Sequence, residues 1–225
     1  MTPLYSEEST LPIRAALFDF DGTLADSFDA IAASANHARA TFGLPPLPAA
    51  EIRSYVGHGL AHLMAELVPT APSVALAVST YRTHHESIAK SQTALLPGVR
   101  NTIDALYRDG ILLGVCSNKS VHFTKLLVAH LFPNGEFTAV LGPEDVANPK
   151  PDPAMLIEAC QRLGVPVSET VYVGDMSVDV LTGKAAQMNT WLVPGGAGNW
   201  QEAVAAGPDR VLDTFADVLK FVRIA

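Results

Sequence analysis

The chain has 225 residues, 48% of them hydrophobic and 17% charged, with a formal net charge of −8. That length and apolar share fit one large domain, or one domain carrying a smaller insert, around a real core. They exclude a membrane span, because no apolar run is long enough, and the acid excess without a Lys/Arg cluster excludes nucleic acid as a partner.

In chain order, Met1–Ser9 has neither a basic start nor an apolar centre, so it reads as a disordered lead-in rather than a secretory signal. The apolar run Arg14–Phe20 predicts the first buried strand. From Asp26 to about Ala94 only helical periodicity is present: Ala30–Phe42, Ala49–Tyr55, Leu60–Leu67 and Val74–Ile88, punctuated by proline clusters at 45–48 and 69–72. A strandless block of about seventy residues is too long for a loop. It predicts a small helical domain over 26–93, joined by linkers near Leu24–Asp26 and Gln92–Leu96 to a domain formed by 1–25 and 94–225.

Beyond the insert, strands at Ile111–Ser117, Phe137–Leu141, Thr170–Gly174, Thr190–Val193 and Arg210–Leu212 alternate with helices at Val99–Arg108, Val121–Phe132, Pro153–Leu163 and Thr214–Val222. Asp152 is placed to cap the third of these helices, with Pro153 in its first turn. This alternation predicts an α/β fold with a doubly wound, mostly parallel sheet. Cys116 and Cys160 are too few for a disulfide framework and read as reduced thiols, Cys116 as a small buried hydrophobe. His37, His62, His122 and His130 read as surface or satisfied core residues, and His84-His85 as a helix face.

The first strand runs into Asp19-Phe20-Asp21-Gly22-Thr23-Leu24. Residues two apart on a strand share a face, so Asp19 and Asp21 start out side by side and repel unless a cation or protons compensate. Paired hard oxygens at the carboxyl end of a parallel strand suit Mg²⁺. A solvated Asp-Gly turn is the alternative. Three more strand ends carry polar groups. Ser117-Asn118-Lys119 offers a hydroxyl, or a helix cap. Lys150 stands between Pro149 and Pro151, on a loop stiff enough to aim it, or simply in solvent. Gly174-Asp175 and Asp179 offer two acids four apart, on one helix face or favoured by the helix dipole.

Asp-x-Asp, hydroxyl, lysine and a second acid pair, in that order, resemble the four motifs of the haloacid dehalogenase (HAD) superfamily of phosphohydrolases. The resemblance runs from about Ile13 to Val222, and the helical insert resembles the family's cap. It implies a Rossmann-like HAD core and an aspartyl-phosphate mechanism. Asp19 would be the nucleophile and Asp21 the acid and base. Ser117, with neighbouring groups at Gly22, Thr23 and Asn118, would hold the phosphoryl oxygens. Lys150 would neutralise charge. Asp19, Asp21 through its carbonyl, Asp175 and Asp179 would hold Mg²⁺.

The cap stretches Phe42–Leu47 and Ile52–Leu60 resemble the phosphoglycolate phosphatase branch, which implies a small phosphorylated metabolite as substrate and makes Arg53 and His58 the cap side chains expected to reach it. The loop Val193–Trp200 departs from the Gly-Tyr loop usual in that branch. The presence of Asp21 sets the metal-free dehalogenases aside. The phosphonate-cleaving branch uses a cap lysine, and the cap's one lysine, Lys90, lies near its far edge. A β-phosphoglucomutase-like phosphoryl transfer and a phospho-aspartyl signalling or binding protein without turnover stay open as alternatives. A cytoplasmic monomer or homodimer is the expected setting.

Overall fold

The computed structural model describes residues 13–196 and 198–222; the lead-in expected at Met1–Ser9 and one residue of the loop Val193–Trp200 lie outside them. Strand β1 (Ala15–Phe18) enters the core, and β2 (Ala25–Asp26) leaves it toward four helices, α1 (Phe28–Thr41), α2 (Ala49–Arg53), α3 (Leu60–Leu67) and α4 (Val74–Ile88). Strand β3 (Ala94–Leu95) returns, followed by α5 (Val99–Arg108), β4 (Leu112–Cys116), α6 (Val121–Leu131), β5 (Phe137–Leu141) and α7 (Ala154–Leu163). The chain ends in β6 (Thr170–Gly174), α8 (Ser177–Ala185), β7 (Asn189–Leu192), α9 (Trp200–Ala205), β8 (Arg210–Val211) and α10 (Val218–Phe221).

Among the described residues the core sheet has six strands in the order β5-β4-β1-β6-β7-β8, parallel at every pairing. Alternate residues of β1 serve opposite faces. Ala16, Phe18 and Phe20 pack with Ile103, Leu127 and Phe215, whereas Ala15 and Leu17 pack with Leu156, Ala159 and Tyr172. Both faces are covered, so β1 is continuously apolar. Burying a side chain such as Phe18, fully enclosed here, contributes roughly 1.5–3 kcal/mol. The strand order runs outward from β1 in both directions, which opens a crevice at the carboxyl ends of β1, β4 and β6.

The four cap helices hold their own apolar cluster, with Ile31, Ala35, Ile52, Met64, Leu67 and Tyr81 among its members. The two linkers are not loose. Ala25 pairs with Leu95 and Asp26 with Ala94 in an antiparallel ribbon, and Leu96 N–H donates to Leu24 O at 3.1 Å. Two short strands a long way apart in sequence have no periodicity to betray them, which is why the sequence reads them only as linkers.

Other differences are local. Strand β1 ends at Phe18 because the chain turns there: Leu24 and Ala25 N–H both donate to Phe20 O at 3.0 Å. Asp152 accepts from Ala154 N–H at 2.9 Å, and Pro153 occupies the cap position, one residue before the helix. The last predicted helix divides into a 3₁₀ turn (Phe215–Asp217) and α10, and α9 has too few residues to show a period. Cys116 and Cys160 are free and buried. His85 is not on an exposed helix face. It is fully buried at the seam between cap and core, with Nδ1 3.0 Å from Ser34 Oγ and its ring edge-on to Phe123. Burial lowers its pKa to about 3, so it stays neutral.

Helix α8, which carries Asp179, sits on β7 through Gly183. A Cβ at Gly183 would clash with Thr190 Oγ1 and lie 2.8 Å from Thr190 Cβ, and rotating the threonine cannot relieve the second contact. Gly183→Ala is expected to cost about 1–3 kcal/mol as overpacking. Thermal melting would show this as a fall of several degrees; an unchanged melting temperature would mean that α8 shifts freely on the sheet.

Candidate active site

The crevice gathers the polar strand ends that the sequence singled out. Asp19 directly follows β1, and its N–H donates to Val173 O at 2.9 Å, so the first and sixth strands hold it in place. Gly22 makes the tight turn behind it at φ +89°, a conformation that disfavours a side chain, and a Cβ there would meet Asp175 Oδ2 at 2.6 Å. Thr23 Oγ1 donates to Asp175 Oδ1 at 2.6 Å. Thr23 therefore acts on an acid of the site rather than facing the cavity.

Asp19, Asp175 and Asp179 are buried, and each offers an oxygen within 4.8 Å of the others. Their repulsion is answered first by Lys150. Its Nζ is 2.7 Å from Asp179 Oδ1, 2.9 Å from the Tyr172 hydroxyl and 3.0 Å from Asp19 Oδ1. Burial alone would lower the Lys150 pKa, but Asp179 and Asp19 more than reverse that and hold it above its usual value. Asp19 is pushed up to about 6, by burial and by Asp179, against the pull of Lys150 and Ser117. Asp175 is raised well above the carboxylate range by burial, Asp179 and Asp19.

The three acids differ in what remains free. Asp179 Oδ2 accepts from Asp175 and Met176 N–H at 3.2 and 3.0 Å, while Oδ1 accepts from Lys150 and Tyr172. Both of its oxygens are occupied. It faces the site by capping the turn before α8, not by sharing a helix face with Asp175, which precedes that helix. Asp175 Oδ2 is buried and accepts no hydrogen bond, and Asp19 Oδ1 meets the Lys150 ammonium at 3.0 Å without an aligned hydrogen bond. An unpaired buried oxygen costs about 1–3 kcal/mol. Two carboxylates within 4.8 Å of each other, whose charge burial disfavours, fit a hard divalent cation. Asp19 and Asp175 could hold it, with Asp179 fixing Lys150 and the α8 turn behind them.

The two acids of Asp-x-Asp do not stay side by side, because the chain turns between them. Asp21 accepts from the Ser27 hydroxyl, and Lys119 Nζ lies 3.1 and 3.3 Å from its two carboxylate oxygens. Lys119 stands two residues after Ser117, and in the sequence it carries no role beside Ser117 and Asn118. Tyr172 was hidden as one more apolar strand residue. A lysine just past a buried strand, and a tyrosine in a run of valines, are the only signals either residue sends.

Asn118 is fully employed in joining parts. Its Nδ2 donates to Gly57 O of the cap at 2.9 Å and to Lys150 O at 3.0 Å, and its Oδ1 accepts from Lys150 N–H at 3.0 Å. Gly57 closes on Met176 at φ +115°, where a Cβ would be 2.8 Å from Met176 Cε. Between cap and core lies a cavity of about 60 Å³. Its floor is Asp19, Asp21, Ser117, Lys119 and Lys150, and its ceiling includes Ile31, Val56, Leu60, Leu63 and Tyr81. That volume holds roughly four to six waters, which limits a ligand's size.

Arg53 and His58 are not among the lining residues. The Arg53 guanidinium stacks 3.9 Å over the Phe28 ring and donates to Gly195 O and Gly196 O at 3.0 and 2.8 Å, so it ties α2 to the core loop after β7. His58 is exposed, edge-on to His62. The sequence expects both to reach the substrate; Arg53 ends α2 and His58 follows in the turn before α3, and neither side chain turns into the cavity.

A parallel sheet with an inserted helical cap, a buried aspartate after the first strand and a lysine-bridged acid trio define a HAD-type hydrolase. Residues 16–193 match the model of the haloacid dehalogenase-like hydrolase family, and the chain belongs to that family as an enzyme of its phosphatase class. It is 30% identical to phosphoglycolate phosphatase of Salmonella typhimurium, over 92% of this chain and 91% of that one. It is 31% identical to the plasmid-encoded phosphoglycolate phosphatase of Cupriavidus necator, over 91% of each chain. Among solved structures, CbbY of Rhodobacter sphaeroides in complex with phosphate superposes with a TM-score of 0.82 at 26% identity, covering 93% of this chain and 99% of that one. No helix among the described residues is long and apolar enough to cross a membrane.

The raised pKa of Asp19 has a sign. Its ordinary value is 3.8 and its folded value about 6, so the folded state keeps a proton that the unfolded chain releases. The stability this contributes is complete below about pH 4 and lost as pH rises through about 6. A cation must displace that proton. The metal-free protein is therefore expected to melt about 3–5 °C lower at pH 7.5 than at pH 5, and Mg²⁺ to raise the melting temperature more at pH 7.5. Equal Mg²⁺ stabilisation at both pH values would contradict the trio as the cation site.

Proposed function

We propose that the enzyme hydrolyses a small phosphomonoester, with 2-phosphoglycolate as the preferred candidate, through an aspartyl-phosphate on Asp19. The observation that carries this reading is the Asp19 carboxylate: buried, ion-paired to Lys150 through Oδ1, and at the floor of a small lidded cavity. A carboxylate oxygen of Asp19 attacks phosphorus as the bond to the leaving oxygen breaks, and Asp21 gives the leaving oxygen its proton. Water then attacks phosphorus, Asp21 takes the water's proton, and the bond to Asp19 breaks, releasing phosphate. Asp19, the Asp21 carbonyl and Asp175 would hold Mg²⁺, which when bound would supply positive charge against the repulsion between two anions.

The remaining residues hold this arrangement. Lys150 keeps Asp19 and Asp179 apart in charge, and Tyr172 fixes the lysine. Ser117 presents a hydroxyl to the phosphoryl oxygens. Gly22, Thr23 and Asn118 position Asp175, the turn after Asp19 and the Lys150 loop. Arg53 holds the cap down over the site, which excludes water from the first step, and His58 marks the rim of the same cap loop. The small volume and the likeness to two phosphoglycolate phosphatases support a small substrate over a sugar phosphate.

Phosphate release with Mg²⁺ from 2-phosphoglycolate, sugar phosphates, pyrophosphate and nucleoside monophosphates tests the reading. A clear preference for 2-phosphoglycolate is expected. Conversion of β-glucose 1-phosphate without net release would move the assignment to a mutase. Asp19→Asn should lower turnover at least about a thousandfold while leaving the fold intact, and activity above that level would rule Asp19 out as nucleophile.

A further inference from the structure

We propose that Lys119 reads the non-transferring end of the substrate, and that the group it takes is a carboxylate. This rests on the reading of the cavity as a phosphatase site. The basic residues lining the cavity are Lys150 and Lys119. Lys150 is committed to Asp19, Asp179 and Tyr172 and sits where the phosphoryl group arrives. Arg53, the cation expected from the cap, is held by the carbonyls of Gly195 and Gly196.

Lys119 is different. Its side chain is only 7% exposed, and it faces the cavity with an ammonium whose three N–H groups meet a single carboxylate, that of Asp21. Asp21 keeps the Ser27 hydroxyl if the lysine turns partly toward a ligand, so sharing Lys119 leaves no buried acid without a partner. The wall opposite is aliphatic and aromatic, from Ile31, Val56, Leu63, Tyr81 and Phe123. A hydroxyl-rich leaving group would lose its hydration against that wall and find few partners. A one- or two-carbon stem ending in a carboxylate matches it: carbon against the ceiling, charge on Lys119. A charge-assisted hydrogen bond in such a site contributes about ten- to a hundredfold in affinity.

The test is calorimetric, on Asp19→Asn protein with saturating Mg²⁺, so that ligand is not consumed. The two probes are 2-phosphoglycolate and ethyl phosphate, which differ in the carboxylate. The phosphoglycolate is expected to bind at least about tenfold more tightly. Adding Lys119→Met should reduce that advantage below about threefold, leaving ethyl phosphate nearly unchanged, and Lys119→Arg should restore part of it. If Lys119→Met does not fold, Lys119→Gln, which keeps a donor to Asp21, carries the same comparison. An advantage that is absent, that survives the substitution, or that disappears through equal weakening of both ligands overturns the proposal. Turnover by the unmodified enzyme separates the two readings. Phosphoglycolate hydrolysis with no Lys119-dependent carboxylate preference removes only this inference. A Lys119-dependent preference without hydrolysis removes the phosphatase reading of that substrate and leaves the carboxylate site standing.

Discussion

Everything in this enzyme is arranged around the repulsion of four carboxylates at one end of a parallel sheet. Asp19, Asp21, Asp175 and Asp179 are all buried, and buried charges must be paired or protonated. The fold answers with two lysines from different loops. Lys150 takes Asp19 and Asp179, and Lys119 takes Asp21. The compensation is incomplete: Asp175 Oδ2 is left without a partner, and Lys150 is shared between Asp19 and Asp179. The same shortfall that would weaken an ordinary core suits a site proposed to take a cation and an anionic substrate together.

The supports of those groups are as specific as the groups themselves. Asp179 uses both oxygens to fix Lys150 and the turn before α8. Asn118 uses its whole amide to join the cap loop to the Lys150 loop. The linkers pair as a ribbon, and Arg53 closes the far side of the cap onto the loop after β7. Cap and core therefore meet through a hinge on one side and hydrogen bonds on the other. The cavity between them joins an ionic floor to an apolar ceiling, which is how a lidded site both excludes water and chooses its ligand.

Much of this was legible in the chain. Asp19, Ser117 and Asp175 were visible because a buried strand is apolar and a polar residue just past it is not, and Lys150 because prolines flank it. The helical insert was visible because about seventy residues of helical segments without a strand cannot be a loop. What stayed hidden has a common character. Lys119 and Tyr172 are single residues whose importance lies in a partner roughly a hundred or only seven positions away. Arg53 and His58 stand out as cap side chains in the sequence, but side-chain direction depends on how α2 and α3 pack. His85 lies in a helix that shows charge and apolarity mixed, and only the core surface against it, at Phe123, decides that it is buried.

By itself the sequence determined the α/β class, the inserted cap and the order of the four motifs, since these follow from local periodicity and from residue types at strand ends. Tertiary structure alone decided the division of labour among the acids: that an Asp175 oxygen is left without a partner, that Asp19 and Asp179 share Lys150, and that Lys119 pairs with Asp21. The reason is physical. Periodicity is a property of neighbours along the chain, whereas charge compensation is a property of neighbours in space, and the loops that meet here are brought together only when the sheet is formed.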